Sequence, residues 1–276
     1  MTRKEIMSEI ERQEALGRFD CHIDPIPREL TLPVTAEYRY ATERKGAERL
    51  RYALKRQLLV RPASWYQNRF RLHTRVVGRE FLRGLDAAVL VCNHVDKFDC
   101  LAVRRAVRGR RLFTVAAPFN NMSGALGELM RAGDMLPLSE SLHGLCRFNR
   151  AVEDVLLRRR DLLLVYPEGS MWWHYRKPRP HKMGAYSIAL RCHVPVLPLF
   201  ITFRTRKTAS DGIENVGFTV HITRPLYADP SFDRRVAEHD LAARAEAAWR
   251  EIYEQTYGEP LRYTGGEAAL SERSTP

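Results

Sequence analysis

Short apolar runs alternate with amphipathic stretches through the middle of the chain, regularly enough to place elements before any chemistry is considered. The runs 87–92, 112–117, 135–138 and 162–166 are rich in aliphatic and β-branched residues. They are too short for helices and suit buried strands. A further apolar run, 194–202, follows downstream, and 218–222 alternates like a half-buried late strand. Between these lie helical patterns at 101–107, at 125–131 before Gly133, and at 148–160, where Val152, Val155 and Leu156 share one face. Three arginines end that last pattern, where cations suit the helix dipole. A terminal helix is predicted over 241–257, closed by Gly258. Strand and helix in alternation predict an α/β fold, a single domain with a largely parallel mixed sheet covered by helices, functional loops lying at the strand C-termini.

The ends of the chain read differently. Residues 1–18 pattern as a helix around Ile6, Ile10 and Leu16, and prolines at 25, 27 and 33 make 20–34 an extended wrap. From 39 to 59, Ala47, Leu50, Leu54 and Leu58 form a stripe at helical spacing, flanked by Arg44, Lys45, Arg49, Arg51, Lys55 and Arg56; Trp65, Tyr66 and Phe70 follow. Such a helix either lies on an anionic membrane surface or packs its stripe on the domain. The predicted divisions are 1–62, an N-terminal helical extension; 63–258, the main domain; and 259–276, a disordered tail.

Composition narrows the class. The chain has 276 residues, 45% hydrophobic and 28% charged, which suits a globular protein. No run approaches the ~20 apolar residues of a membrane span, and the start lacks the apolar segment of a signal peptide. Five scattered cysteines without a Cys-x-x-Cys pair predict reduced thiols in a cytoplasm and no structural zinc. A net charge of +12 asks for an anionic partner. The chain carries no nucleic-acid-binding module, so a basic binding protein ranks below an enzyme.

The candidate chemistry sits where the apolar runs end. Run 87–92 breaks into Asn93-His94, with Asp99 five residues past the histidine. Five is wrong for one helix face, so a turn must join the pair. A carboxylate accepting from one ring nitrogen fixes the tautomer and leaves the other free to take a proton. Run 162–166 likewise ends in Tyr166-Pro167-Glu168-Gly169-Ser170, and Val194-Pro195-Val196-Leu197-Pro198 follows.

These three segments, in this order, resemble the glycerolipid acyltransferase family typified by 1-acylglycerol-3-phosphate acyltransferase. That family's pattern is Asn-His-x4-Asp, a motif ending in Arg, Phe-Pro-Glu-Gly-Thr-Arg, and Val-Pro-Ile-Val-Pro. The resemblance spans roughly residues 75–225. It implies transfer of a fatty acyl group from an acyl thioester, on coenzyme A or acyl carrier protein, to a lyso-lipid hydroxyl, with no bound cofactor and no metal. His94 is then the general base and Asp99 its partner, with Glu168, Gly169 and Ser170 at the acceptor site. Two departures stand out: Glu140 and Met171 occupy the places of the family's phosphate-binding arginines. Arg176, Lys177, Arg179 and Lys182 are the cations available to replace them. Trp172, Trp173 and Tyr175 could instead face an uncharged head group, and a lipid or thioester hydrolase using the same pair stays open. The expected location is cytoplasmic, peripheral on the inner face of an anionic membrane.

Overall fold

The computed structural model describes residues 1–23, 27–208 and 214–265. Seven strands form one sheet: β1 (Arg75–Val77), β2 (Ala88–Cys92), β3 (Leu112–Ala116), β4 (Met135–Pro137), β5 (Leu162–Val165), β6 (Val196–Thr208) and β7 (Glu214–Ile222). Their order is β1-β7-β6-β2-β5-β3-β4, and every pairing is parallel except β6 with β7. The helices are α1 (Arg3–Ala15), α2 (Gly46–Lys55), α3 (Arg61–Tyr66), α4 (Asp99–Ala106), α5 (Gly124–Ala132), α6 (Leu142–Glu153), α7 (Gly184–Arg191) and α8 (Arg234–Tyr257). The α/β architecture is the one the alternating pattern predicts.

β2 is the axis of the core, with all five residues buried. Its side chains alternate between the two faces, as a strand's must. Val89 and Val91 join Phe148, Tyr186 and Trp249 on the face covered by α6, α7 and α8. Ala88, Leu90 and Cys92 join Val103 and Leu112 on the α4 face. A strand buried on both faces explains the unbroken apolar run. After β2 the chain moves to β3 and β4, returns to β5 beside β2, then places β6 on β2's other flank. The C-terminal end of β2 is therefore a topological switch point, where open α/β sheets form their ligand crevice.

Four predicted boundaries shift. α2 and α3 are stretches of one continuous helical rod, joined by a wider turn at Arg56–Val60 and prolonged by another at Gln67–Arg71. The division at residue 62 thus falls inside a helix. Pro62 is tolerated because the wide turn before it relieves the clash a proline ring makes with the preceding turn. α6 and α8 begin earlier than their apolar patterns, at Leu142 and Arg234, because Ser141 and Asp233 cap them by accepting from Gly144 N–H and Val236 N–H. The tail expected to be disordered starts ordered. Tyr263 packs edge-on against Phe19 and donates to Pro178 O, and Glu14 accepts from Thr264. Residues 266–276 of that tail, and 24–26 of the proline-bearing stretch, lie outside the described residues.

The apolar stripe of the rod faces outward. Leu54 is 50% and Leu58 68% exposed, and Leu59, Trp65, Tyr66 and Phe70 are exposed beside them. The polar flank makes the inward contacts instead: Arg56 pairs with buried Asp134 at 3.1 Å and Lys55 with Glu128 at 2.7 Å. Among the described residues no helix is long and apolar enough to cross a membrane.

Candidate active site

Strand register brings the two loops together. β2 and β5 are parallel, with Val91 opposite Val165. Three residues beyond each stand His94 and Glu168, and Glu168 Oε2 accepts the His94 backbone N–H at 2.9 Å. Asn93 fixes the other flank. Its side-chain amide donates to Ile201 O at 3.0 Å and accepts from Ile201 N–H at 2.7 Å, clamping the end of β2 to β6. His94 is thus held from both neighbouring strands, through its own backbone N–H and through the side-chain amide of the residue before it.

The expected turn lies between His94 and Asp99. Asp99 opens α4, where the helix dipole favours a carboxylate. Its Oδ2 is 2.7 Å from His94 Nδ1 and accepts the Val95 N–H at 3.0 Å and the Asp96 N–H at 3.3 Å. Its Oδ1 accepts the Tyr166 hydroxyl at 2.5 Å, and the Tyr166 ring stacks on the imidazole with centroids 4.1 Å apart. Asp99 is buried while His94 keeps about a quarter of its side chain exposed. An ionised carboxylate only accepts, so the single proton of a neutral imidazole sits on Nδ1 and Nε2 is left with its lone pair.

The second loop divides the residues expected at the acceptor site. Glu168 and Arg179 form a buried ion pair at 2.7 Å. The Arg179 guanidinium also donates to Ser170 Oγ, Ser170 O and Phe19 O, while its backbone N–H donates to Glu168 Oε1. Glu168, Ser170 and Arg179 are therefore committed to holding the loop. Gly169 has φ +76°, a left-handed backbone that favours glycine, and a Cβ there would meet the Lys182 side chain at 2.9 Å. Lys182 is exposed beside it. Lys177 is turned away, paired with Glu14 at 2.6 Å, and Arg176 lies over the Tyr257 ring. Trp172 and Tyr175 are core residues, packed with Ile10, Phe19 and Ile23. Glu140 is exposed at the start of the segment leading into α6.

Some site residues carried no sequence signal. Burial first, then the positive charges of Lys182, of His94 when protonated, and of Arg179, lower the pKa of His22. It arrives from the N-terminal wrap and stacks edge-on against Phe119, and no spacing foretells that. Beside the His94 loop a cavity of about 740 Å³ is lined by Arg71, Lys97, Phe98, Met171, Trp173 and His174 among others. His181, next to Lys182, belongs to the core: burial, then the Arg179 charge, push its pKa down to about 3, and Nδ1 meets the Tyr186 hydroxyl. No three His, Cys, Asp or Glu side chains among the described residues are grouped as a metal would require.

A partly exposed imidazole on a buried carboxylate, at the switch point of a largely parallel sheet, is an arrangement able to take a proton from a bound hydroxyl or water. That is the chemistry an O-acyltransferase requires. Residues 73–202, just under half of the chain, match the model of the family described as Acyltransferase. Among solved structures it is similar to the 1-acyl-sn-glycerophosphate (LPA) acyltransferase PlsC from Thermotoga maritima. The TM-score is 0.51 at 18% identity, covering 77% of this chain and 85% of that one, a likeness of fold. No curated protein matches the chain.

Proposed function

We propose that this protein transfers a fatty acyl group from an acyl thioester, on coenzyme A or acyl carrier protein, to the hydroxyl of a lysophospholipid such as 1-acylglycerol-3-phosphate. The observation that carries the reading is the His94–Asp99 pair, with Nδ1 held at 2.7 Å and the rest of the ring reaching the surface. The acceptor oxygen attacks the thioester carbonyl carbon as its proton passes to His94 Nε2. The tetrahedral intermediate collapses with loss of the thiolate, which takes that proton back. Asp99 stabilises the imidazolium between the two steps. The acyl group stays on substrate oxygen throughout, so no acyl-enzyme is needed.

Lys182 is the cation best placed for an acceptor phosphate, exposed beside Gly169. Arg71 and Lys97 line the neighbouring cavity and suit an anionic donor. The outward stripe of the rod, basic on its flanks, supports peripheral docking on the inner face of an anionic membrane. One observation favours a second acceptor class: Lys177 and Arg179 are tied to Glu14 and Glu168. That leaves fewer cations for a phosphate and suits an uncharged lyso-glycolipid.

The test presents labelled acyl thioester with anionic vesicles and, in parallel, lysophosphatidate and an uncharged lyso-glycolipid. Product from the first supports the phosphate reading and product from the second alone moves it to the glycolipid. Free fatty acid without either acceptor makes the protein a hydrolase. His94→Ala should lower turnover at least ~100-fold with an unchanged melting temperature; unchanged turnover refutes the base assignment.

A further inference from the structure

The transfer chemistry accounts for His94 and Asp99 and leaves Tyr166 without a role, although no side chain is tied more closely to the pair. Its hydroxyl donates to Asp99 Oδ1, the oxygen that His94 does not use, while its ring lies against the imidazole with the planes 16° apart. The two carboxylate oxygens are thus divided: Oδ2 serves His94 and two backbone amides, and Oδ1 serves the phenol.

We propose that Tyr166 is a positioning residue of the His94–Asp99 pair, its hydroxyl drawing part of the Asp99 charge away from the imidazole while its ring carries the imidazolium. The proposal rests on reading His94 as the base. A carboxylate that accepts a second strong donor is a weaker partner for the imidazolium, so the hydroxyl keeps His94 neutral, and hence active, to lower pH. The ring works in the opposite sense, its π face favouring a cation above it. Phenylalanine keeps the ring and removes the hydroxyl, which separates the two effects.

The remaining groups around the pair do not change in that substitution. The Cys92 and Cys100 thiols are held neutral, burial and then the Asp99 charge pushing Cys100 up to about 12 and Cys92 well above its ordinary range. Asp96 is spent on the Phe98 N–H through Oδ1 and faces His174 through Oδ2 at 3.5 Å. Glu168 is neutralised by Arg179. His22 and Lys182 stand on the open side. Burial, followed by the Asp99 charge, pushes the Tyr166 hydroxyl well above the usual phenol range, so it remains a donor across the working pH.

The experiment follows the His94 ring signal by NMR against pH in the free protein, assigned by its loss in His94→Ala, for the natural chain and for Tyr166→Phe. The titration midpoint should move up by on the order of half a unit or more in the variant, with the acid limb of kcat/KM moving by the same amount. Site-specific fluorotyrosine at 166 is a stronger donor of the same shape and should move the midpoint down. An unmoved midpoint in both variants overturns the proposal, as does a downward shift in Tyr166→Phe. A midpoint that moves while the acid limb stays put supports the Tyr166 assignment and refutes His94 as the base.

Discussion

The motif resemblance assigns Glu168 to the acceptor site, while its surroundings are those of a structural pin, and replacing it by glutamine tests the pin. The Glu168 and Arg179 side chains are each 1% exposed. Glu168 Oε2 accepts from His94 N–H and from the Arg179 guanidinium, and Oε1 accepts from the Arg179 N–H. Glutamine keeps the shape but supplies one acceptor and one NH2 donor. Either rotamer sets that NH2 against a donor, and the Arg179 cation loses its counter-charge. Leaving a buried charge unpaired costs about 3–5 kcal/mol. In a chain of this size each kcal/mol moves the melting temperature by roughly 2–4 °C, so Glu168→Gln should melt about 6–20 °C lower. Turnover should fall as well, because His94 loses the contact that anchors its backbone to the β5 loop. Adding Arg179→Met removes the orphaned cation, and the double variant should recover part of the lost stability. Thermal unfolding followed by circular dichroism, with acyl transfer assayed below the transition, reads all three proteins. A single variant melting within a degree or two of the parent would refute the argument.

The remaining predictions concern the strand clamp, the outer face of the rod and the core histidine. Asn93→Ala leaves Ile201 N–H and C=O without their partner in the core and should cost about 2–4 kcal/mol in urea unfolding; a loss below half a kcal/mol counts against the clamp. Leu54→Glu with Leu58→Glu changes exposed positions only. The melting temperature should hold while co-sedimentation with anionic vesicles drops several-fold, and undiminished sedimentation would rule out this face as the docking surface. His181 is held at about 3, below its ordinary 6.5, so the unfolded chain binds the extra proton first. Its contribution is complete above pH 6.5 and declines toward pH 3 by about 1.4 kcal/mol per unit. Between pH 7.5 and 5 the parent should therefore lose about 2 kcal/mol more than His181→Gln; equal losses would mean that His181 is not the titrating group.

What could be read from the chain and what could not divide along a physical line. Buried parallel strands leave continuous apolar runs, so β2, β3, β4 and β5 were visible, and with them the loops where chemistry belongs. The turn between His94 and Asp99 followed from helix geometry alone, since residues five apart do not share a face. The choice among the loop cations was a different kind of question. Arg176, Lys177, Arg179 and Lys182 are equivalent by charge and neighbourhood in sequence. The fates of three are set largely by partners far along the chain: Tyr257 for the first, Glu14 for the second, and Phe19, with the nearby Glu168, for the third. Glu14 and Phe19 belong to the N-terminal segment that folds over this loop, and no periodicity reports where a segment docks. The rod shows the same limit from the other side. Its stripe had the spacing of a packing face, yet the docked face is the cationic one, because Asp134 and Glu128 pair with Arg56 and Lys55. Helical spacing shows which residues share a face. Which way that face turns depends on where the counter-charges lie, and here they turn the leucines outward.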